Sequence, residues 1–129
     1  MALNAGDILV YDGTKWENSS EGSAPSVALG AALTGSASAS VTLVSGSNNI
    51  RGMITIMSGT GPSSGQLVKV TFPSGYFSVT PYVFLQALDN AGATLGYTVG
   101  DRVSTGFNIY AQNTPAASAT YNLYYWVVG

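Results

Sequence analysis

The residues that could do chemistry are few, and two types are missing altogether. The chain has no histidine and no cysteine. Nucleophilic catalysis needs a base beside the nucleophile. Serines are plentiful, but the base left to serve them is Lys69, isolated in an alternating segment. Zinc would find neither thiolate nor imidazole. Glycoside hydrolysis needs two carboxyl groups across a cleft, and beyond residue 40 the chain offers Asp89 and Asp101 alone. Asp89 opens an Asp-Asn turn, where a carboxylate usually bonds to nearby backbone. Asp101 adjoins Arg102 and reads as part of a surface turn or an ion pair. Asp89, Asn90 and Asp101 could offer oxygen to calcium, but no ligand spacing supports such a site. The loop Gly59-Thr60-Gly61-Pro62-Ser63-Ser64-Gly65 lacks the Gly-Lys-Ser/Thr ending of a phosphate loop and precedes a strand pattern, not a helix. The expectation is a non-enzyme with no catalytic residue, no metal and no cofactor.

Binding is the remaining chemistry. Saccharides are commonly held by an aromatic platform and a few polar groups, and Tyr76, Tyr82, Tyr97, Tyr110 and Asn108 could contribute. The better ligand-binding candidates are Asp89, Asn90, Arg102 and Asn113, because binding residues concentrate on loops. A nucleic-acid binder needs several cations on one face. Here the cations are Lys15, Arg51, Lys69 and Arg102, scattered through a chain of net charge −2, so no nucleic acid is expected. No run approaches the roughly 18 apolar residues of a membrane span, and the first residues lack a basic start and an apolar run. Synthesis in a cytosol without membrane insertion is the expectation.

The elements that must position these residues read as strands. Charged residues make up 8% of the chain, about a third of the ~25% usual in soluble domains. Ser, Thr, Asn and Gly take their place, a mixture suited to short strands and tight turns. Asp7 to Asn18 reads as a hairpin around Asp12-Gly13, with Ile8, Val10, Tyr11 and Trp16 as apolar contacts that need a neighbour to cover them. Residues 19–40 read as a linker or extended arm, with a short helix over 26–33 as the alternative. Residues 1–40 are thus expected to form an attachment arm, and residues 41–129 a β-domain. Strand signals follow at Val41–Val44, Ile50–Met57, Gln66–Phe72, Pro81–Leu88, Leu95–Val103, Phe107–Ala111 and Tyr121–Val128. Turn signals every roughly 8–12 residues point to an all-β antiparallel sandwich or small barrel.

The last strand argues for assembly. Tyr121, Leu123, Tyr125 and Val127 occupy one side of it, and Tyr124, Trp126 and Val128 the other. A sheet with one wet face alternates apolar and polar residues, and this strand does not. A two-layer domain can cover one side. Tyr124, Trp126 and Val128 are therefore expected at an oligomer interface, where aromatic residues are enriched.

Two segments carry resemblances. Residues 6–16, Gly-Asp-Ile-Leu-Val-Tyr-Asp-Gly-Thr-Lys-Trp, look like a short connector motif of phage tail-fibre and related adhesion proteins. The second segment is longer. Val70-Thr71-Phe72-Pro73, Phe77, Pro81-Tyr82-Val83, Val99, Val103, Gly106-Phe107-Asn108-Ile109 and the terminal Tyr124-Tyr125-Trp126-Val127-Val128-Gly129 follow the spacing of the H-type lectin-like sandwich. That resemblance implies about six antiparallel strands and a homotrimer, and related domains sit at the tips of phage fibres. It carries over no sugar-binding residue, since the family's site includes a histidine. Together they imply a bacteriophage virion protein. It would be a capsid decoration, knob or fibre-tip component, made in the host cytoplasm and anchored to another virion protein through residues 1–40. The alternative is a receptor-binding tip module that recognises a host cell-surface glycan.

Overall fold

The computed structural model describes residues 7–11, 13, 14, 16–20 and 24–129. Every strand pair is antiparallel. β1 (Asp7–Tyr11) and β2 (Trp16–Ser20) form a hairpin, in the register that pairs Tyr11 with Trp16. One four-stranded sheet runs β4 (Ser40–Leu43), β5 (Arg51–Met57), β10 (Thr120–Val128), β7 (Tyr82–Ala87). The other runs β3 (Ser26–Leu29), β6 (Gly65–Thr71), β9 (Gly106–Ala111), β8 (Tyr97–Val103). Two four-residue helices, α1 (Ala31–Thr34) and α2 (Asn90–Ala93), fill corners.

The two sheets close one core. Ile54, Ile56, Leu123 and Tyr125 come from the first, and Val68, Val70, Phe107 and Ile109 from the second. Each is essentially removed from water, at about 1.5–3 kcal/mol per large apolar side chain. Period-2 alternation explains the choice. β6 turns Val68 and Val70 inward and Lys69 and Thr71 outward, because successive side chains leave a strand on opposite faces.

The all-β antiparallel sandwich expected from the sequence is present, with eight strands in its two sheets where the resemblance implied about six. The additional material includes β3. Residues 26–33, expected in a linker or a short helix, divide between β3 and α1. Val27 and Leu29 pack against the core while β3 pairs with β6, so sheet-forming chain begins at Ser26, ahead of residue 41. Gly30 then brings the backbone against β6: its N–H donates to the Leu67 carbonyl at 2.8 Å. A Cβ there would lie 2.2 Å from the Gln66 carbonyl oxygen. No side chain fits that approach.

The loop between β4 and β5 is tied from inside. Asn48 Oδ1 accepts from the N–H groups of Ile50 (2.8 Å) and Arg51 (2.9 Å). The buried Tyr125 hydroxyl donates to the Asn48 carbonyl. That bond fixes the loop beside the outward face of β10. Among the described residues no helix is long and apolar enough to cross a membrane.

Candidate functional site

Strand β10 builds the more conspicuous of two surface features. Its residues alternate buried and open from Tyr121 onward, so the inward side seals the core and the outward side carries Tyr124, Trp126 and Val128. Those three are exposed, Trp126 by 57%. β7 places Gln86 opposite Tyr124, Phe84 opposite Trp126 and Tyr82 opposite Val128. The Phe84 and Trp126 rings face each other across the strands, centroids 5.7 Å apart at 37°. Tyr82 is 65% exposed and lies under the Arg102 guanidinium, 5.1 Å from its centroid. Paired aromatic rings and a cation over a ring face each add about 1 kcal/mol of local order.

Tyr124 separates two open clefts on this face. One, of about 430 Å³, lies between it, the Val44–Ser47 loop and Arg51 to Met53. The other, of about 300 Å³, lies between it, Phe84, Gln86 and Trp126. The polar groups beside the aromatic ladder largely satisfy one another, as where Thr55 Oγ1 donates to Asn122 Oδ1 at 2.7 Å. The middle of the face is apolar, and no described residue covers it.

The second feature is the outward face of the other sheet. β9 alternates buried Phe107, Ile109 and Ala111 with half-buried Asn108 and Tyr110. Cross-strand pairing sets Lys69 and Gly100 on either side of Asn108. A bulge between Gly100 and Val103 then turns the backbone, leaving Asp101 with φ +49. Its Oδ2 accepts from Asn108 Nδ2 at 2.8 Å and from the Tyr110 hydroxyl. Tyr110 first, then Asn108, holds the carboxyl below the usual carboxylate range by donating to the charged form. The same bond pushes the Tyr110 hydroxyl upward. The Tyr110 ring fits against Gly100 because glycine lacks a Cβ, which would lie 2.5 Å from the ring.

The four loop residues expected to bind a ligand do not form one group. Asp89 caps α2, its Oδ1 accepting from the Gly92 N–H at 2.6 Å, and Asn90 is the exposed first residue of that helix. Asn113 Nδ2 donates to the Thr94 carbonyl at 2.6 Å, just past the helix. Arg102 lies toward the far end of β8, about 16 Å along the strand from Tyr97 at the usual rise, and donates to the Pro81 carbonyl at 2.8 Å. Asp101 is engaged by Asn108 and Tyr110 at an exposed bulge, and Arg102 by Pro81 and Tyr82, where the sequence suggested a surface turn or an ion pair between the two. Among the described residues no three His, Cys, Asp or Glu side chains gather as a metal group would require.

Of the four arm residues, Tyr11 is described: it is exposed, and its hydroxyl donates to the Gly13 carbonyl at 3.1 Å. The side chains of Ile8, Val10 and Trp16 lie outside the described part of the structure. Sequence reasoning missed the Asp101–Asn108–Tyr110 group as a unit. The available signal was the polar alternation at Asn108 and Tyr110. Comparison with protein-family models, with curated proteins and with solved structures finds no match for the chain.

Proposed function

We propose that this chain is a non-enzymatic structural protein of a bacteriophage particle surface, and that identical copies assemble through the outward face of the β4–β5–β10–β7 sheet. The observation that carries the reading is the aromatic ladder of Tyr82, Phe84, Tyr124 and Trp126, with Val128, open to solvent in the single chain. A contiguous apolar patch rimmed by polar residues marks an interaction surface more often than an accident of composition. An apolar, aromatic centre with a polar edge is the usual anatomy of such interfaces. A second copy is the simplest occupant, since closed homo-oligomers are the commonest assemblies. The trimer and the phage setting rest on the resemblances carried by residues 6–16 and by the segments between Val70 and Gly129, and anchorage to another virion protein through residues 1–40 belongs to the same reading.

Sedimentation of the full chain across a dilution series tests the assembly. A mass above one chain that falls on dilution supports it; a single-chain mass at every concentration overturns it. Antibody labelling of phage particles in the electron microscope tests the setting, with label on capsid faces or fibre tips as the expected result.

A further inference from the structure

We propose that the N-terminal hairpin of a neighbouring copy, its β1 and β2, seats on the outward aromatic face of the β4–β5–β10–β7 sheet. The inference rests on the assembly reading above and names the segment that covers the face. The virion neighbour to which the arm anchors is then a second copy of the chain itself. Among the described residues neither β1 nor β2 joins either four-stranded sheet, and a lone two-stranded hairpin is marginal in water. The hairpin needs a surface to rest on, and the aromatic ladder is a surface left open.

Apolarity, size and charge all match. The register puts Leu9, Tyr11 and Trp16 on one side of the hairpin, because directly opposed residues of an antiparallel pair share a side. β1 and β2 are five residues each. The ladder is also two strands wide and five residues long, Tyr82 to Gln86 on β7 against Val128 to Tyr124 on β10. The segment up to Glu21 carries Asp7, Asp12, Glu17 and Glu21 against Lys15. The face has the reverse sign. Arg51 stands opposite Trp126, Arg102 lies over Tyr82, and β4, β5, β10 and β7 hold no carboxylate. Opposite charges of this kind steer two surfaces together and fix their register.

The length of the connection selects a neighbour's face over the chain's own. Residues 21–25 join the hairpin to β3, and the chain from Ser20 to Ser26 reaches about 20 Å when fully extended. β3 belongs to the opposite sheet and packs beside β4, the edge strand farthest from β7. A hairpin stacked outside the ladder lies two sheet spacings from β3, about 20 Å, and about two strand spacings, or about 10 Å, to the side. The straight line between them already exceeds the connection and passes through the core, and the route around β4 is longer still. A neighbour's face carries no such restriction. Each copy then gives one hairpin and receives another, which closes as a ring or as a mutual exchange.

Sedimentation of four full-length samples tests the proposal: the unaltered chain, Trp16→Ser, Trp126→Ser, and an equal mixture of the two variants. Each variant alone should associate at least tenfold more weakly than the unaltered chain. The mixture should regain a two-chain species, because the intact hairpin of Trp126→Ser meets the intact face of Trp16→Ser. If Trp16→Ser assembles like the unaltered chain, or if the mixture stays at single-chain mass, the hairpin is not the occupant, and assembly through the face stands without it. A single-chain mass for the unaltered chain at every concentration removes the assembly reading and this inference together. Fluorescence supplies a second readout that leaves the hairpin unaltered. In Trp126→Phe, which keeps a ring on the face, Trp16 is the sole tryptophan of the chain. Its emission should move to the blue at assembling concentrations and return on dilution. Emission that stays unchanged while the chains associate would overturn the proposal.

Discussion

The two outward faces of the sandwich differ although the sheets beneath them are built alike. Each sheet has four antiparallel strands and gives its inner side to the same core. Outside, β10 and β7 carry Trp126, Phe84, Tyr124 and Tyr82, while β9 and β6 carry Asn108, Tyr110 and Lys69. The inner pattern satisfies the fold in both cases, so folding does not account for the contrast. An outward tryptophan adds little to the stability of a lone chain and costs solubility. Its presence in a row of aromatics is the feature that the proposed assembly would explain. The polar face instead holds its groups in one arrangement through hydrogen bonds to Asp101.

The largest effects come from setting the two sides of β10 against each other. Leu123 is fully buried, and Leu123→Ala should cost about 2–5 kcal/mol by lost burial and cavity formation. Urea unfolding of the chain measures it. Trp126→Ser, three residues away on the opposite side, should leave the unfolding of the single chain within about 1 kcal/mol. Its effect should fall on association, by about 2–4 kcal/mol if the indole is a central anchor, read as a rightward shift in the sedimentation dilution series. Equal effects of the two substitutions on unfolding would erase the distinction between the sides. Gln86→Ser, at the polar edge of the same face, should change association far less.

How much of this contrast was legible in the sequence depended on the element. β10 was readable because both of its sides are apolar. The inward set of Tyr121, Leu123, Tyr125 and Val127 is buried as its spacing required. β3 was not readable. Ser26-Val27-Ala28-Leu29 is four residues long inside an Ala/Ser/Gly-rich stretch, and pairing with β6 decides its conformation where local preference is weak. Asp89 and Asn113 stand out in the sequence as polar residues on loops, where binding residues concentrate, yet their side chains serve the backbone of α2 and its exit. The Asp101 group was hidden for another reason. A bulge displaces the register of β8 against β9, and nothing in the order Gly100-Asp101-Arg102 announces it. The outward aromatic residues of β10 were thus readable from periodicity, and the polar cluster needed three dimensions.

Alkaline pH offers an intermediate effect that reports on the core between the faces. Burial pushes the Tyr125 hydroxyl up to about 12, and burial first, then the nearby Asp89 charge, pushes Tyr97 upward as well. The unfolded chain ionises its tyrosines near about 10. A folded value raised above the unfolded one favours the neutral phenol in the native state. Stability from these groups is therefore complete below about pH 10 and is lost as pH rises toward 12, on the order of 1 kcal/mol per pH unit for each tyrosine. Tyr125→Phe should reduce that alkaline slope while costing about 1 kcal/mol at neutral pH, because it deprives the Asn48 carbonyl of its donor. Thermal unfolding followed from pH 8 to 12 separates the two effects. An unchanged slope in Tyr125→Phe would mean that this hydroxyl stays protonated no more readily in the folded chain than outside it.

The smallest effect belongs to the polar face and bears on whether its geometry is imposed. Asp101 has a left-handed backbone, which costs an L-residue roughly 1–2 kcal/mol relative to glycine. Asp101→Gly removes that strain together with two exposed hydrogen bonds, and the opposing terms should leave stability within about 1 kcal/mol of the original. Asp101→Ala removes the same bonds and keeps the strain, so it should unfold more readily than Asp101→Gly by about 1 kcal/mol or more. The difference between these two variants isolates the backbone, because neither side chain can accept from Asn108 or Tyr110. Matched melting temperatures would mean that the bulge relaxes at no cost once the carboxylate is gone. The carboxylate would then be held by nothing but its own hydrogen bonds, and the contrast between a prearranged polar face and a merely open aromatic one would fail.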